Sequence, residues 1–289
     1  SNTGKLLRVA MAVPPCDFSL FEIHFYYPKS EPRMSTRPAY MTATLVKGLD
    51  VLEALSDVEE TGLSELARRL GVSGPTLFRI LATLAARGYV QKSAASRYRL
   101  TLKAWEIGAK TVRRIRLRDV ARPFMERLAA ATGETVHLSV MQGDGIVIVD
   151  KIDSPHPVRV DTFVGQRAPA HCSATGKAIL AFLPPAVLAE VLPKSFARHT
   201  AATIADRAAF ERELAEVRRA GWARNREEWR DGVCAAAVPV FDSSGAVAAS
   251  LSVTVPTPRF TQGALREKLV PALKKTGAAL TDEIARARG

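Results

Sequence analysis

Three groups of side chains in this 289-residue chain are of types that do chemistry. The first is His171-Cys172-Ser173, a base beside two nucleophiles, followed closely by Gly176-Lys177. Sequence neighbours rarely face one another productively, and catalytic partners usually converge from separate segments. Gly176-Lys177 is no phosphate loop either. The upstream glycine would fall at His171, and Ala178 stands where Ser or Thr is needed. His24, His137, His156, His171 and His199 show no metal-ligand spacing, and Cys16, Cys172 and Cys234 form no C-x-x-C pair. The expectation is no catalytic residue, no metal and no cofactor. Few cysteines, odd in number, suit a reducing cytoplasm rather than a disulfide framework.

The second group surrounds Arg79. Two short helices, Ser64–Leu70 and Gly74–Arg87, flank the tight turn Gly71-Val72-Ser73, which reads as a helix-turn-helix. Gly71 stops the first helix in a left-handed conformation, Ser73 caps the second, and Pro75 sits in its first turn. With Leu77, Ile80, Leu81 and Leu84 inward, Pro75, Thr76, Arg79 and Thr83 face outward. A guanidinium fork matches guanine O6/N7 or phosphate oxygens, so Arg79 is the leading base or phosphate contact. Ser64, Ser73 and Thr76 join it near the helix starts, where a phosphate could be held. A hairpin over Tyr89–Leu100 carries Lys92, Arg97 and Arg99, a wing for the DNA backbone.

The third group is Ser250, Ser252 and Thr254, which alternate along one strand and share a face. That face lines either a pocket or solvent. Ser173, Ala174 and Thr175 open a helix, where free backbone N–H groups suit a carboxylate.

The elements that position these groups divide the chain. Thr44 is the expected cap of a first helix with Leu45, Leu49 and Leu52 on one face. A helix over Leu102–Arg118 carries Leu102, Trp105, Ala109 and Val112 at 3-4-3 spacing, a seam for another helix or for its own domain. Beyond it, a helix over Pro123–Thr132 precedes strands over Thr135–Gln142, Ile146–Ile152 and Val158–Phe163. Helices over Ala174–Phe182, Ala186–Leu192 and Arg207–Ala220 follow, then strands over Ala235–Phe241 and Val247–Val255 and a final helix from Gln262. Hairpin turns at 143–145 and 242–245 make this an α+β domain with a largely antiparallel sheet. Residues 1–41, rich in proline and aromatics without a period, read as an extension, disordered or a tag or misassigned start.

Charge sharpens the division. Residues 61–118 hold thirteen Lys or Arg against Glu65 and Glu106, whereas 119–289 are nearly balanced. A basic region confined to one domain suggests a polyanion partner for that domain, although a solvated face has the same composition. No apolar run approaches the ~20 residues of a membrane span.

The motifs Gly62–Ala67, Gly71-Val72-Ser73, Thr76–Leu84, Gly88-Tyr89-Val90 and Tyr98-Arg99-Leu100 resemble the winged helix of the IclR family of bacterial regulators. Residues 165–171, 176–181, 226–233 and 239–242 are similar to the family's C-terminal half, in order. One departure is Gly74-Pro75-Thr76, where the family often has Lys-Ser-Thr. The resemblance implies an N-terminal all-α winged helix-turn-helix (42–100), a linker helix (101–118) and a C-terminal GAF/PAS-like α+β effector-binding domain (119–289). It also implies that Ser173, Ala174, Thr175, Asn225, Ala235, Ser252 and Thr254 wall an effector pocket. The expected partners are double-stranded operator DNA, a small organic acid, and further copies of the chain in a dimer or dimer of dimers, with no membrane. The competing readings are an enzyme in the α+β domain with the winged helix as an interaction module, and a nucleic-acid-binding structural protein.

Overall fold

A computed structural model describes residues 41–113 and 116–287. The expected extension over 1–40, with Cys16 and the aromatic cluster, lies outside the described residues, as does Arg114. The described residues fall into two compact units that divide ahead of Arg116.

The N-terminal unit comprises α1 (Ala43–Ser56), β1 (Thr61–Gly62), α2 (Leu63–Leu70), α3 (Gly74–Ala86), β2 (Val90–Lys92), β3 (Arg97–Leu100) and α4 (Lys103–Arg113). Leu55, Leu66, Leu77, Leu81 and Tyr98 close its core. Gly71 takes φ 62° between α2 and α3, the conformation that costs a residue with a Cβ most. The unit is not wholly helical, since β1 joins the wing in an antiparallel sheet of order β1-β3-β2. Thr42, not Thr44, caps α1, and it does so without a side-chain bond. Leu45 and Leu49 are 63% and 52% exposed, while Val51, Ala54 and Leu55 are buried. Of the expected stripe, Leu45 and Leu49 face away from this unit's core, while Leu52 packs against it.

In the C-terminal unit, α5 (Arg116–Thr132) precedes β4 (Thr135–Gln142), β5 (Gly145–Ile152), β6 (Arg167–Pro169), α6 (Ala174–Leu180), α7 (Pro185–Val191) and α8 (Arg207–Ala220). Next come β7 (Ala223–Arg226), β8 (Val233–Phe241), β9 (Val247–Pro256) and, after a π-helical turn, α9 (Val270–Arg286). The strands form one antiparallel sheet of order β6-β5-β4-β9-β8-β7. Val238 points toward Gly277 of α9, where a Cβ would lie 2.7 Å from Val238 Cγ2. The alternate residues, Ala235 and Ala237, face the other way, toward α6.

Two expectations are corrected here. The helix expected over Pro123–Thr132 begins earlier, at Arg116, so that Leu117 and Arg118, read as the end of the linker helix, lie in the first turn of α5. Leu117 is buried, and Arg118 and Arg122 pair with the buried Asp150 of β5 at 3.4 and 3.1 Å. Pro123 misled the reading, since it lies inside α5 rather than at its start. The strand expected over Val158–Phe163 is absent, and the segment is a loop. Its alternation is real, but no strand pairs with it, and Val158 and Phe163 are exposed.

Candidate functional site

On α3, Leu77, Ile80 and Leu81 are buried, whereas Pro75, Arg79 and Thr83 stand outward. Ser73 makes no capping bond and instead donates to Thr76 Oγ1 at 2.9 Å. Thr83 Oγ1 is turned back onto Arg79 O at 2.9 Å, and Ser64 is exposed on α2. Phe78, beside Arg79, is 54% exposed. Sequence reasoning passed over it, although its place on the outward arc was visible in the same helical wheel. Lys92 and Arg99 are exposed on the wing. Arg97 is not with them: its guanidinium pairs with Glu60 Oε1 at 2.9 Å and donates to Glu60 O at 3.0 Å. It ties the wing to the chain ahead of α2.

A second site lies in the C-terminal unit, on the sheet face toward α6. Ser173, Ala174, Thr175, Asn225, Ala235, Ser252 and Thr254 all line one cavity. Strand register explains the convergence, because β9 lies between β4 and β8 and pairs His137 with Ser252 and Ala235 with Thr254. Ser250 shares the face but donates to Val238 O at 3.0 Å. The loop in place of the expected strand contributes Val160 and Thr162, and the 225–233 segment brings Trp229 and Arg230. Free space is about 60 Å³, well below the roughly 300–1,000 Å³ typical of ligand pockets. Only a molecule of a few heavy atoms fits without movement of that loop.

Sequence reasoning missed His137, Ser139, Thr162 and Arg230 in this wall. His137 and Ser139 alternate on β4 just as Ser252 and Thr254 do on β9, so the same signal was present. His137 bridges Thr162 Oγ1 (2.8 Å) and Thr254 Oγ1 (3.1 Å) through its two ring nitrogens. Burial brings its pKa down to about 4, with Lys151 adding to the fall and Asp153 opposing it. The imidazole is therefore neutral. The Ser139 hydroxyl is buried with no hydrogen-bond partner, an arrangement that calls for an explanation. The helix start is less open than expected, because Ser173 Oγ accepts from Gly176 N at 3.1 Å. Gly176 itself admits no side chain, since a Cβ would lie 2.2 Å from Ala170 O.

Lys177 points away from any ligand role. Fully buried, it donates to Glu228 Oε1 and Oε2 at 2.7 and 3.0 Å and to Glu213 Oε1 at 3.1 Å. Burial raises the Glu228 carboxyl above its ordinary range, and Lys177 partly offsets this. Glu228 N donates to Asn225 Oδ1 at 2.8 Å, so the ion pair anchors the segment that carries Trp229 and Arg230. Cys172 is not an activated nucleophile. Burial, with Glu228 adding to it, pushes its thiol up to about 12, whereas a reactive thiol needs a lowered pKa. Burial also lowers His171, whose Nε2 lies 3.0 Å from Ala197 O.

Comparison with known proteins matches both halves of the chain to one family. The IclR helix-turn-helix domain model matches residues 44–98, and that of the bacterial transcriptional regulator IclR C-terminal region matches 109–282. The HTH-type transcriptional regulator KdgR of Dickeya chrysanthemi is 37% identical over 222 residues, covering 76% of this chain and 73% of that protein. KdgR of Escherichia coli K12 is 36% identical over 227 residues, covering 78% and 86%. The crystal structure of Thermotoga maritima IclR matches with a TM-score of 0.68 at 28% identity, covering 84% of this chain and 98% of that one. An IclR homologue from Microbacterium hydrocarbonoxydans, complexed with 4-hydroxybenzoate, matches with a TM-score of 0.71 at 26% identity, covering 85% and 100%. Among the described residues, no helix is long and apolar enough to cross a membrane. A helix-turn-helix with its wing, joined in one chain to an α+β unit that both family models and full-length relatives match, places this protein in the IclR family of bacterial transcriptional regulators.

Proposed function

We infer that this protein is a cytoplasmic regulator of a catabolic operon, whose affinity for double-stranded operator DNA is set by a small organic acid. Residues 42–100 read the DNA, 101–118 join the units and 119–289 sense the acid. The observation that carries the reading is the polar equipment of a small buried cavity. Arg230 supplies a cation for a carboxylate, and the partnerless Ser139 hydroxyl and the Ser252 and Thr254 side chains can orient a short polar body. The relative that holds 4-hydroxybenzoate supports an acid as the class. Regulation requires the acid to bind one state of the protein better than another, since equal affinity shifts nothing.

Ligand at 100 times its dissociation constant should add about 2.7 kcal/mol of stability, easily read as a thermal shift. Ala235→Leu fills the cavity and should abolish the shift, and Ser252→Ala should weaken it. A panel of short aliphatic and aromatic acids that moves neither melting temperature nor operator affinity would end the sensor reading.

On the DNA side, Arg79→Ala should weaken operator binding by about 1–3 kcal/mol if the guanidinium reads a base. Lys92→Ala and Arg99→Ala should weaken all sequences alike and flatten the salt dependence. Equal affinity for a neighbouring promoter fragment and random DNA would contradict the assignment.

A two-fold operator needs at least a dimer, and this reading includes a dimer or dimer of dimers. Leu102 and Trp105 are 75% and 63% exposed, an apolar surface suited to a second copy. Trp105→Glu should lower the light-scattering mass, and a wild-type mass that stays monomeric at every concentration would exclude the assembly.

A further inference from the structure

We propose that His171, Cys172 and His199 form a binding site for a thiophilic transition-metal ion of the zinc type, set behind the wall of the cavity. Among the described residues, one ligand atom from each of the three lies within 4.8 Å of those of the other two. A thiolate and two imidazoles are the donor set that favours such ions over magnesium or calcium. In a tetrahedral site with bonds of about 2.0–2.3 Å, neighbouring ligand atoms lie roughly 3.4–3.8 Å apart. Closing the cluster onto an ion thus requires shifts of about an ångström, within reach of side-chain rotation. Three protein ligands leave one position open for water or an external donor.

The surroundings match what a ligating histidine needs. His171 Nε2 lies 3.0 Å from Ala197 O, so Nε2–H donates there and Nδ1 carries the lone pair. The ring is stacked on Phe196, with centroids 5.1 Å apart and planes 19° apart, and its centroid is 5.8 Å from that of His199. His171 and Cys172 are buried while His199 is exposed, which gives the ion an entrance from solvent. The Cys172 thiol makes only a long contact, 3.9 Å, to Pro169 O. Binding replaces its S–H proton with the ion, and that proton leaves to solvent. Ser173, the next residue, already lines the cavity. An ion held here would fix the turn that presents Ser173, Ala174 and Thr175.

The test uses the full chain with any affinity tag removed, titrated with Co(II) and then with Zn(II) as competitor. The expected result is one Co(II) per chain with a thiolate-to-cobalt charge-transfer band, displaced by Zn(II), and a higher melting temperature with the ion. The band should disappear in Cys172→Ser and persist when Cys16 and Cys234 are both changed to Ser. His199→Ala, at an exposed position, should leave the metal-free melting temperature unchanged and weaken binding at least about tenfold, the loss expected even for an outer-shell partner. If Cys172→Ser fails to fold, His199→Ala decides alone. No thiolate band, a band that survives Cys172→Ser, or undiminished affinity in His199→Ala would each overturn the site.

Discussion

Lys177→Ala should lower the unfolding free energy by about 3–5 kcal/mol, read as a shifted denaturant midpoint at neutral pH. The ammonium is the cation shared by Glu228 and Glu213, and neither Lys177 nor Glu228 has water to fall back on. Removing the lysine strands a buried carboxylate, which costs far more than an exposed ion pair is worth. The Glu228 carboxyl is already held above its ordinary range by burial, and without Lys177 it should rise further. A carboxyl whose pKa is raised in the folded state favours folding as pH falls through that value, so the variant should recover part of its deficit in mild acid. Adding Glu228→Gln should recover part of it at neutral pH. A loss below about 1 kcal/mol would mean that the buried pair contributes no more than a surface pair.

The second large effect is acid destabilisation through His137. Its folded-state pKa is about 4 against the ordinary 6.5, so between those values the unfolded chain holds a proton that the folded one does not. Stability is therefore complete above pH 6.5 and is lost as pH falls toward 4, by about 3 kcal/mol once both states are protonated. His171 is lowered in the same direction, so the contribution of His137 is the difference between wild type and His137→Gln. Denaturant melts at pH 7.5 and 5 should show a shallower loss in the variant. Parallel losses would remove His137 from the account. Acid also attacks the cavity, since a protonated ring cannot accept a hydrogen bond from Thr254 or Thr162.

Much of the architecture was legible because its signals are local. Gly71 and the spacing of Leu77, Ile80 and Leu81 mark a turn and a helix face without reference to the rest of the chain. The alternation of Ser252 and Thr254 likewise declared a shared face, but only pairing with β4 could say that the face was internal. Val158, Val160 and Thr162 alternate equally well and form no strand, because alternation records a pattern and not a partner. Arg97 shows the same limit for charge, since its partner Glu60 lies 37 positions away in the chain. His171, Cys172 and His199 have no motif spacing at all. The chain passes through α6 and α7 before His199 returns beside the other two, and no local rule encodes that.

The order of the large sheet constrains how copies of this protein can meet. Its outermost strands, β6 and β7, are three and four residues long, whereas the inner β8 and β9 have nine and ten. Unpaired N–H and C=O groups along a long outer strand are a template for continuing a sheet from one molecule into the next. So short a rim gives a neighbour almost nothing to zip onto, which protects a crowded solution of the regulator from fibrous growth. Any association between copies would then rest on side-chain surfaces, whose shape and polarity select a partner.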